Sequence, residues 1–450
     1  MDVRKAIVER GKKHHGFLDV ATRADGSPIR LGVSVVSGTE EGSILAIDAG
    51  VHGDEMEGIE AVIRLVQQLD PAKLRGTLIA VPALNVLGFD AGMRFAPSDQ
   101  KYTAYTQPDM NRIFPGNDRG SAQERIADIY YRTIVEEADY IISFHGGGNK
   151  GIIGPFVACQ HYEGHVGRES MRMAKAFGLD TIWKVPYWPG ILSTETSILG
   201  KPVILPEIGG DAKRYPERDF VPIALDGLLN VMRELGMIEG EVKRPDSYQI
   251  LGFEYLKANQ GGMFQFRRYL GDRVERGELI GETVNLFGEV VESVHAPWGG
   301  VIYGIRTYPL VHPGDWLFML SRGIHQTPLI PRHEALGAKI AMSMNWELPT
   351  VYSSVEKEYW AVRKGGAGLS DLSSMGKVLV EGTGAEKLLQ YLFVNDIEGL
   401  RTGQVRYTCL CDHEGRMLDD DTVYKFGPDR FLVVTSTATR EDTEEWLMEW

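Results

Sequence analysis

The chain has 450 residues, 43% of them hydrophobic and 24% charged, a composition of water-soluble globular proteins and a length beyond one ordinary core. Its formal net charge of -14 argues against a nucleic-acid-binding surface. The opening MDVRKAIVERGKKHHGF lacks an apolar stretch of signal-peptide length and no run approaches a membrane span. Cys159, Cys409 and Cys411 are too few for a disulfide framework, so the expectation is reduced thiols in a cytoplasmic protein without membrane association.

SILAIDAG (43–50) reads as a strand, GIEAVIRLVQQL (58–69) as an amphipathic helix and GTLIAVPALN (76–85) as a further strand. SAQERIADIYYRTIVEEA (121–138) is predicted helical, with Ser121 as N-cap and Glu124 completing a capping box. DYIISFHGGG (139–148) and KPVILPEIGG (201–210) are strands that run into glycines. Buried strands alternating with helices predict an α/β domain over residues 1–245, built on a largely parallel sheet with flanking helices. From about residue 246 to 322 the strands become short and closely spaced, broken by Gly-Asp and Pro-Gly-Asp turns, which predicts a small all-β module. The contexts of Gly271–Asp272 and Gly314–Asp315 echo each other, and this resembles the barrel-sandwich of lipoyl and biotinyl carrier domains. The tip GEVVESVHAP carries no lysine, so a swinging-arm role is not expected. A third segment, 323–450, closes on TREDTEEWLMEW, which reads as a helix of a longer domain cut at residue 450.

In open α/β sheets, ligands bind outside the carboxyl ends of the strands. His52 and Glu55 follow the first strand, His145 closes the strand at 139–144 and Glu207 closes the one at 201–206. Taken singly, H-x-x-E is a polar turn, His145 a satisfied strand-end histidine and Glu207 a solvated carboxylate. Their delivery to one sheet edge outweighs those readings. Two imidazoles and a carboxylate are the ligand set of a catalytic zinc site, and a second carboxylate beside the metal shuttles protons. Asp54 is expected to point away or to support an imidazole. In DMNRIFPG (109–116), Arg112 suits bidentate recognition of a carboxylate and Asn111 adds a hydrogen bond. Arg94 offers a second cation to the substrate or to a developing oxyanion.

HGDE, DMNRIFPG, SFHGG and PEIGG, in that order, resemble the succinylglutamate desuccinylase/aspartoacylase branch of the zinc carboxypeptidase-like fold over about residues 30–322. The resemblance implies a mixed or parallel sheet with flanking helices, His52, Glu55 and His145 as zinc ligands, and Glu207 as general base and acid. It places Asn111, Arg112 and Arg94 on the substrate, and implies attack of metal-bound hydroxide on a small N-acyl amino acid. FAPSDQKYTAYTQP, between Arg94 and Asp109, is longer than in the compact members.

Residues 327–450 resemble the start of the glycine-cleavage T-protein (aminomethyltransferase) family through TPL…H…LGAK, W-x-x-P…Y, AVRKGGAGLSDLSSMG and DDDTVYKF. That resemblance implies a truncated α+β fold, which in the complete domain binds tetrahydrofolate. Asp420 falls at the catalytic carboxylate with Asp419 beside it, and Tyr407, Met375 and Val434 fall where the family lines its folate pocket. The chain is therefore expected to be a zinc-dependent deacylase fused to a folate-binding segment. The alternatives are a folate-dependent one-carbon transferase with an auxiliary first domain, and a zinc carboxypeptidase. The expected partner is a small-molecule substrate, with room left for a homo-oligomer.

Overall fold

A computed structural model describes residues 1–96, 109–160, 164–211, 219–323, 325–343 and 346–450, so most of the long stretch after Arg94 lies outside the described residues. The chain divides into two compact units, Met1–Ile324 and His325–Trp450.

The first unit carries β1 (Lys12–Thr22), β2 (Pro28–Ser37), β3 (Glu40–Asp48), β4 (Arg75–Val81), β5 (Tyr140–Ser143), β6 (Gly151–Gln160), β7 (Thr181–Val185), β8 (Val203–Gly210) and β9 (Gln249–Lys257). Shorter strands follow: β10 (Gly262–Phe266), β11 (Arg273–Val274), β12 (Leu279–Val284), β13 (Val290–His295), β14 (Gly300–Arg306), β15 (Leu310–Val311) and β16 (Trp316–Gly323). Its helices are α1 (Val3–Val8), α2 (Met56–Gln68), α3 (Val86–Ala91), α4 (Ala122–Tyr130), α5 (Gly164–Phe177), α6 (Leu192–Ile198) and α7 (Val221–Glu234). One sheet runs β1-β2-β4-β3-β5-β8-β6-β7-β9-β16-β14-β11.

That sheet is mixed, as the family resemblance allows, where strand–helix alternation taken alone predicts a largely parallel one. β4, β3, β5 and β8 run parallel, whereas β1, β2 and β4 pair antiparallel and β6 runs against β8. The reversal at β6 has a simple cause. Only residues 144–150 join β5 to β6, too few for the crossover that parallel strands of one sheet require.

β14 also pairs with β6, so β6, β7, β9, β16 and β14 close into a five-stranded barrel. Residues 246–322, expected as a separate module, thus belong to the first unit, and four of their strands extend its large sheet. β13, β12, β10 and β15 form a second, four-stranded sheet. The two Gly-Asp turns match in detail. Asp272 Oδ2 accepts from the Tyr269 amide at 2.8 Å and Asp315 Oδ2 from the His312 amide at 3.0 Å.

Apolar cores lie on both faces of the large sheet. Val62 and Leu65 of α2 pack with Phe177 of α5 and Leu228 of α7 on one side. Leu31, Ile126 and Tyr130 pack on the other. The capping box of α4 forms as predicted, with the Ser121 amide donating to Glu124 Oε2 at 2.7 Å. Gly58 lets α2 sit on Phe144, since a Cβ there would lie 2.4 Å from the Phe144 Cβ. No helix among the described residues is long and apolar enough to cross a membrane.

The second unit holds β17 (His325–Gln326), β18 (Lys339–Ser343) and β19 (Trp346–Val351) in one sheet, then β20 (Gly376–Glu381), β21 (Val405–Cys411), β22 (Met417–Gly427) and β23 (Arg430–Thr435) in another, ordered β20-β23-β22-β21. Its helices are α8 (Ile330–Ala335), α9 (Val355–Trp360), α10 (Ala385–Leu392) and α11 (Arg440–Met448). Leu389, Leu410, Val423, Phe431 and Leu447 form the core beneath α10 and α11. His333 ties the segments together, 2.9 Å from Asp371 and 2.7 Å from the Tyr352 hydroxyl, while Thr327 donates to the same carboxylate.

Candidate metal centre

The loop after β3 turns directly into α2, so His52 and Glu55 emerge three residues apart beside the helix start. Both are buried, as is His145 at the end of β5. His52 Nδ1 lies 2.7 Å from Glu55 Oε1, His145 Nδ1 lies 3.2 Å from Glu55 Oε2, and the two Nδ1 atoms are 3.3 Å apart. Ligands 2.0–2.2 Å from a tetrahedral zinc stand about 3.3–3.6 Å from one another, so the nitrogen pair already has the spacing of two such ligands. The donor set, two imidazoles and one carboxylate with one donor atom each inside 4.8 Å, fits zinc.

The outward nitrogens are also engaged. His52 Nε2 is 3.0 Å from Asp109 Oδ1, an oxygen that also accepts the Asn111 amide at 2.9 Å. Asp109 begins the short turn Met110–Arg112, so one carboxylate both shapes that turn and orients an imidazole. Of the two roles expected for Asp54, pointing away or supporting an imidazole, the structure shows an Asp54 that accepts the Asn149 amide at 2.9 Å, and it is Asp109 that lies beside the imidazole. The D of DMNR was the only trace of this in the sequence. Glu57 is buried and accepts the Gly210 amide at 2.9 Å.

Charge follows geometry here. Despite burial, the imidazoles of His52 and His145 hold the Glu55 carboxyl well below the usual range. Asp109 is likewise held low, its burial outweighed by its bond to His52 and the nearby arginines. Burial and Arg94 oppose a charge on His52, but Glu55 and Asp109 outweigh them and raise it. Glu207 goes the other way: burial, with Glu55 nearby, pushes it up to about 7. It stands beside His145 because the His145 amide donates to the Pro206 carbonyl (2.9 Å) and the Ile208 amide to the His145 carbonyl (3.0 Å).

A cavity of about 700 Å³ opens on these groups, lined by His52, Glu55, His145, Glu207, Arg94 and Arg112 among others. Arg94 donates to Glu55 Oε1 at 2.8 Å. Asn111, expected to bind substrate, accepts the Leu192 amide at 3.0 Å and sets its Nδ2 3.5 Å from His145 Nε2. Its side-chain amide thus joins the start of α6 to the His145 imidazole. The structure adds Tyr255, Trp183 and Trp188 to the cavity wall, none of which stands in a motif.

The second unit separates the residues assigned to it. The Tyr407 hydroxyl donates to Asp420 Oδ2 at 2.5 Å on the exposed face of the four-stranded sheet. Register puts Tyr407 opposite Thr422 and Thr422 opposite Val434, so Val434 shares that row. Met375 precedes β20 and is half-buried. Asp419 points to the covered face, where it accepts the Ser436 amide at 3.0 Å and the Thr443 hydroxyl at 3.3 Å.

Residues 41–235 match the succinylglutamate desuccinylase/aspartoacylase catalytic domain, and residues 329–450 match the GCVT N-terminal domain. The N-alpha-acetyl-L-2,4-diaminobutyric acid deacetylase of Halomonas elongata is 30% identical over 326 residues, covering 68% of this chain and 91% of that protein. An aminomethyltransferase of Geobacillus thermodenitrificans is 40% identical over 126 residues, 28% of this chain. The chain spans about a third (34%) of that protein. Among solved structures, the product-bound ectoine utilization protein EutE (DoeB) from Ruegeria pomeroyi aligns with a TM-score of 0.64 at 26% identity, over 70% of this chain and 96% of that one. A succinylglutamate desuccinylase from Silicibacter aligns with a TM-score of 0.63, also at 26% identity and over the same shares.

Proposed function

Because the chain belongs to the succinylglutamate desuccinylase/aspartoacylase family, we propose that its first unit is a zinc-dependent amidohydrolase that removes the acyl group from a small N-acyl amino acid. The observation that carries this reading is the meeting of His52 Nδ1, His145 Nδ1 and Glu55 at the wall of one cavity, with Glu207 beside them. His52, Glu55 and His145 would hold the metal. Bound there, zinc lowers the pKa of a coordinated water towards neutrality and polarises the acyl carbonyl.

The protein's own groups supply the rest. Glu207 takes a proton from the attacking water and returns it to the departing amine, so one carboxylate serves both halves of the reaction. Arg112 pairs with the substrate carboxylate and fixes the amide's register against the metal site. Arg94, already at Glu55, stands where negative charge grows on the carbonyl oxygen. Asp109 holds the His52 ring so that its Nδ1 faces inward.

In this reading residues 1–245 carry the chemistry, 246–322 complete the cavity wall and 323–450 form a partial folate-type segment. A one-carbon transfer activity of a longer protein is a second reading, favoured by the GCVT match and by Tyr407 and Asp420 bonded on an exposed sheet face. The test is metal analysis of the purified chain beside Glu207→Gln, with amine release assayed on a panel of N-acyl amino acids. About one zinc per chain in both proteins, with turnover in the wild type alone, is expected. A metal-free wild type would overturn the hydrolase reading.

A further inference from the structure

The cavity is larger and more apolar than an acetyl or succinyl group needs, and strand register shows how its floor is built. Glu207 and Leu205 stand two residues apart on β8, hence on one face of the strand. Leu205 lies opposite Ala158 of β6, and Ala158 lies opposite Trp183 of β7. Leu205, Ala158 and Trp183 therefore form one continuous row across three strands, beginning a single residue pair away from Glu207. All three line the cavity, and all are buried.

Trp183 is fixed from below by edge contacts to Phe156 and Phe253, with ring centroids 6.1 and 5.5 Å away. Trp188 meets it edge-on at 6.4 Å, also lines the cavity, and is 43% exposed. Ile191 extends this wall. The same loop touches the carboxylate clamp, since the Phe114 amide donates to the Gly190 carbonyl and a Cβ on Gly190 would meet the Arg112 carbonyl at 2.3 Å. One side of the cavity thus pairs a guanidinium with an indole-walled apolar trough, and the trough leads away from Glu207.

We propose that this trough is a subsite for a bulky apolar group, aliphatic or aromatic, so that the preferred substrate is an N-acyl amino acid carrying one. The proposal rests on the deacylase reading above for turnover, but binding tests it separately. Pocket shape serves two sources of the same chemistry: the acyl chain and the amino-acid side chain. Burying one methylene contributes about 0.8 kcal/mol, or about fourfold in kcat/KM.

The experiment uses the full chain with zinc and two substrate series. One series lengthens the acyl group from acetyl through butanoyl to hexanoyl and benzoyl on one amino acid. The other keeps the acetyl group and changes the side chain from alanine to leucine and phenylalanine. The expected result is a rise of roughly tenfold or more along one series, which identifies the source. Trp188→Ala and Ala158→Leu should each shrink that ratio at least threefold.

In parallel, Glu207→Gln is titrated with the same compounds by calorimetry and indole fluorescence. Tighter, indole-reported binding of the apolar members without turnover in the wild type would keep the subsite and sink the hydrolase. Turnover or binding equal across both series, or best for acetyl-alanine, would overturn the subsite and leave the hydrolase standing.

Discussion

His52 presents both ring nitrogens to carboxylates, Nδ1 to Glu55 and Nε2 to Asp109. Only the first of these contacts was legible in the sequence, because H-x-x-E is local and sits at a strand end. Asp109 lies 57 residues away, in a segment whose notable letters were the asparagine and arginine after it. Such outer partners typically alter metal affinity by 10–100-fold. Asp109→Asn is therefore expected to weaken zinc by roughly tenfold or more, read by competition with a chromophoric chelator, while the fold persists in circular dichroism. Unchanged affinity would remove Asp109 from the site. Arg112 makes a different prediction. Its charge-assisted bonds to a substrate carboxylate would be worth about 1.5–3 kcal/mol, so Arg112→Ala should raise KM by roughly tenfold to a hundredfold and lower kcat much less. A mainly kcat effect would move Arg112 from positioning to chemistry.

At the scale of elements, β3, β4, β5, β8, α2 and α4 followed from hydrophobic period and capping, but the way they touch did not. Gly58 lets α2 lie against Phe144, the residue before His145. Gly58→Ala should cost about 1–3 kcal/mol through overpacking and should disturb zinc binding as well as stability. A more stable variant with intact zinc affinity would show that the contact yields freely. On β22, Asp419 and Asp421 fall on the covered face two residues apart, a placement that the run DDD cannot convey without the strand's register. Asp419 is satisfied by Ser436 and Thr443, whereas Asp421 accepts no hydrogen bond from a donor among the described residues. Burial, reinforced by Asp419, pushes Asp421 up to about 8. A carboxyl raised above its unfolded value near 4 contributes stability that is full below pH 4 and lost as pH rises to about 8. Calorimetry should show the second unit melting lower at pH 8.5 than at pH 5.5, and Asp421→Asn should flatten that slope. A slope unaltered by the substitution would assign it to other groups.

At the scale of the molecule, the sequence offers three textures where the chain divides into two compact units, and the α/β arrangement of residues 1–245 was legible because period and turn chemistry are written locally. The closure of five strands was not, since β6 meets β14 across some 150 positions and no local pattern records such a pairing. The two units also give a ligand test. A metal that binds only the folded first unit stabilises it by mass action, about 2.7 kcal/mol when free zinc is a hundredfold above its dissociation constant. Zinc should raise the melting temperature of that unit, chelation should lower it, and the transition of residues 325–450 should stay in place. Equal movement of both transitions would mean that they unfold as one.

The closed barrel sets an order of events in the cell. Leu205, Ala158 and Trp183 leave the ribosome early, but β14 and β16, which close the ring around β6, are translated roughly a hundred or more residues later. At 5–20 residues per second, that interval lasts roughly five to thirty seconds. Throughout it, the indole-rich trough is an unfinished edge on a nascent chain, held open to chaperones and to wrong partners alike.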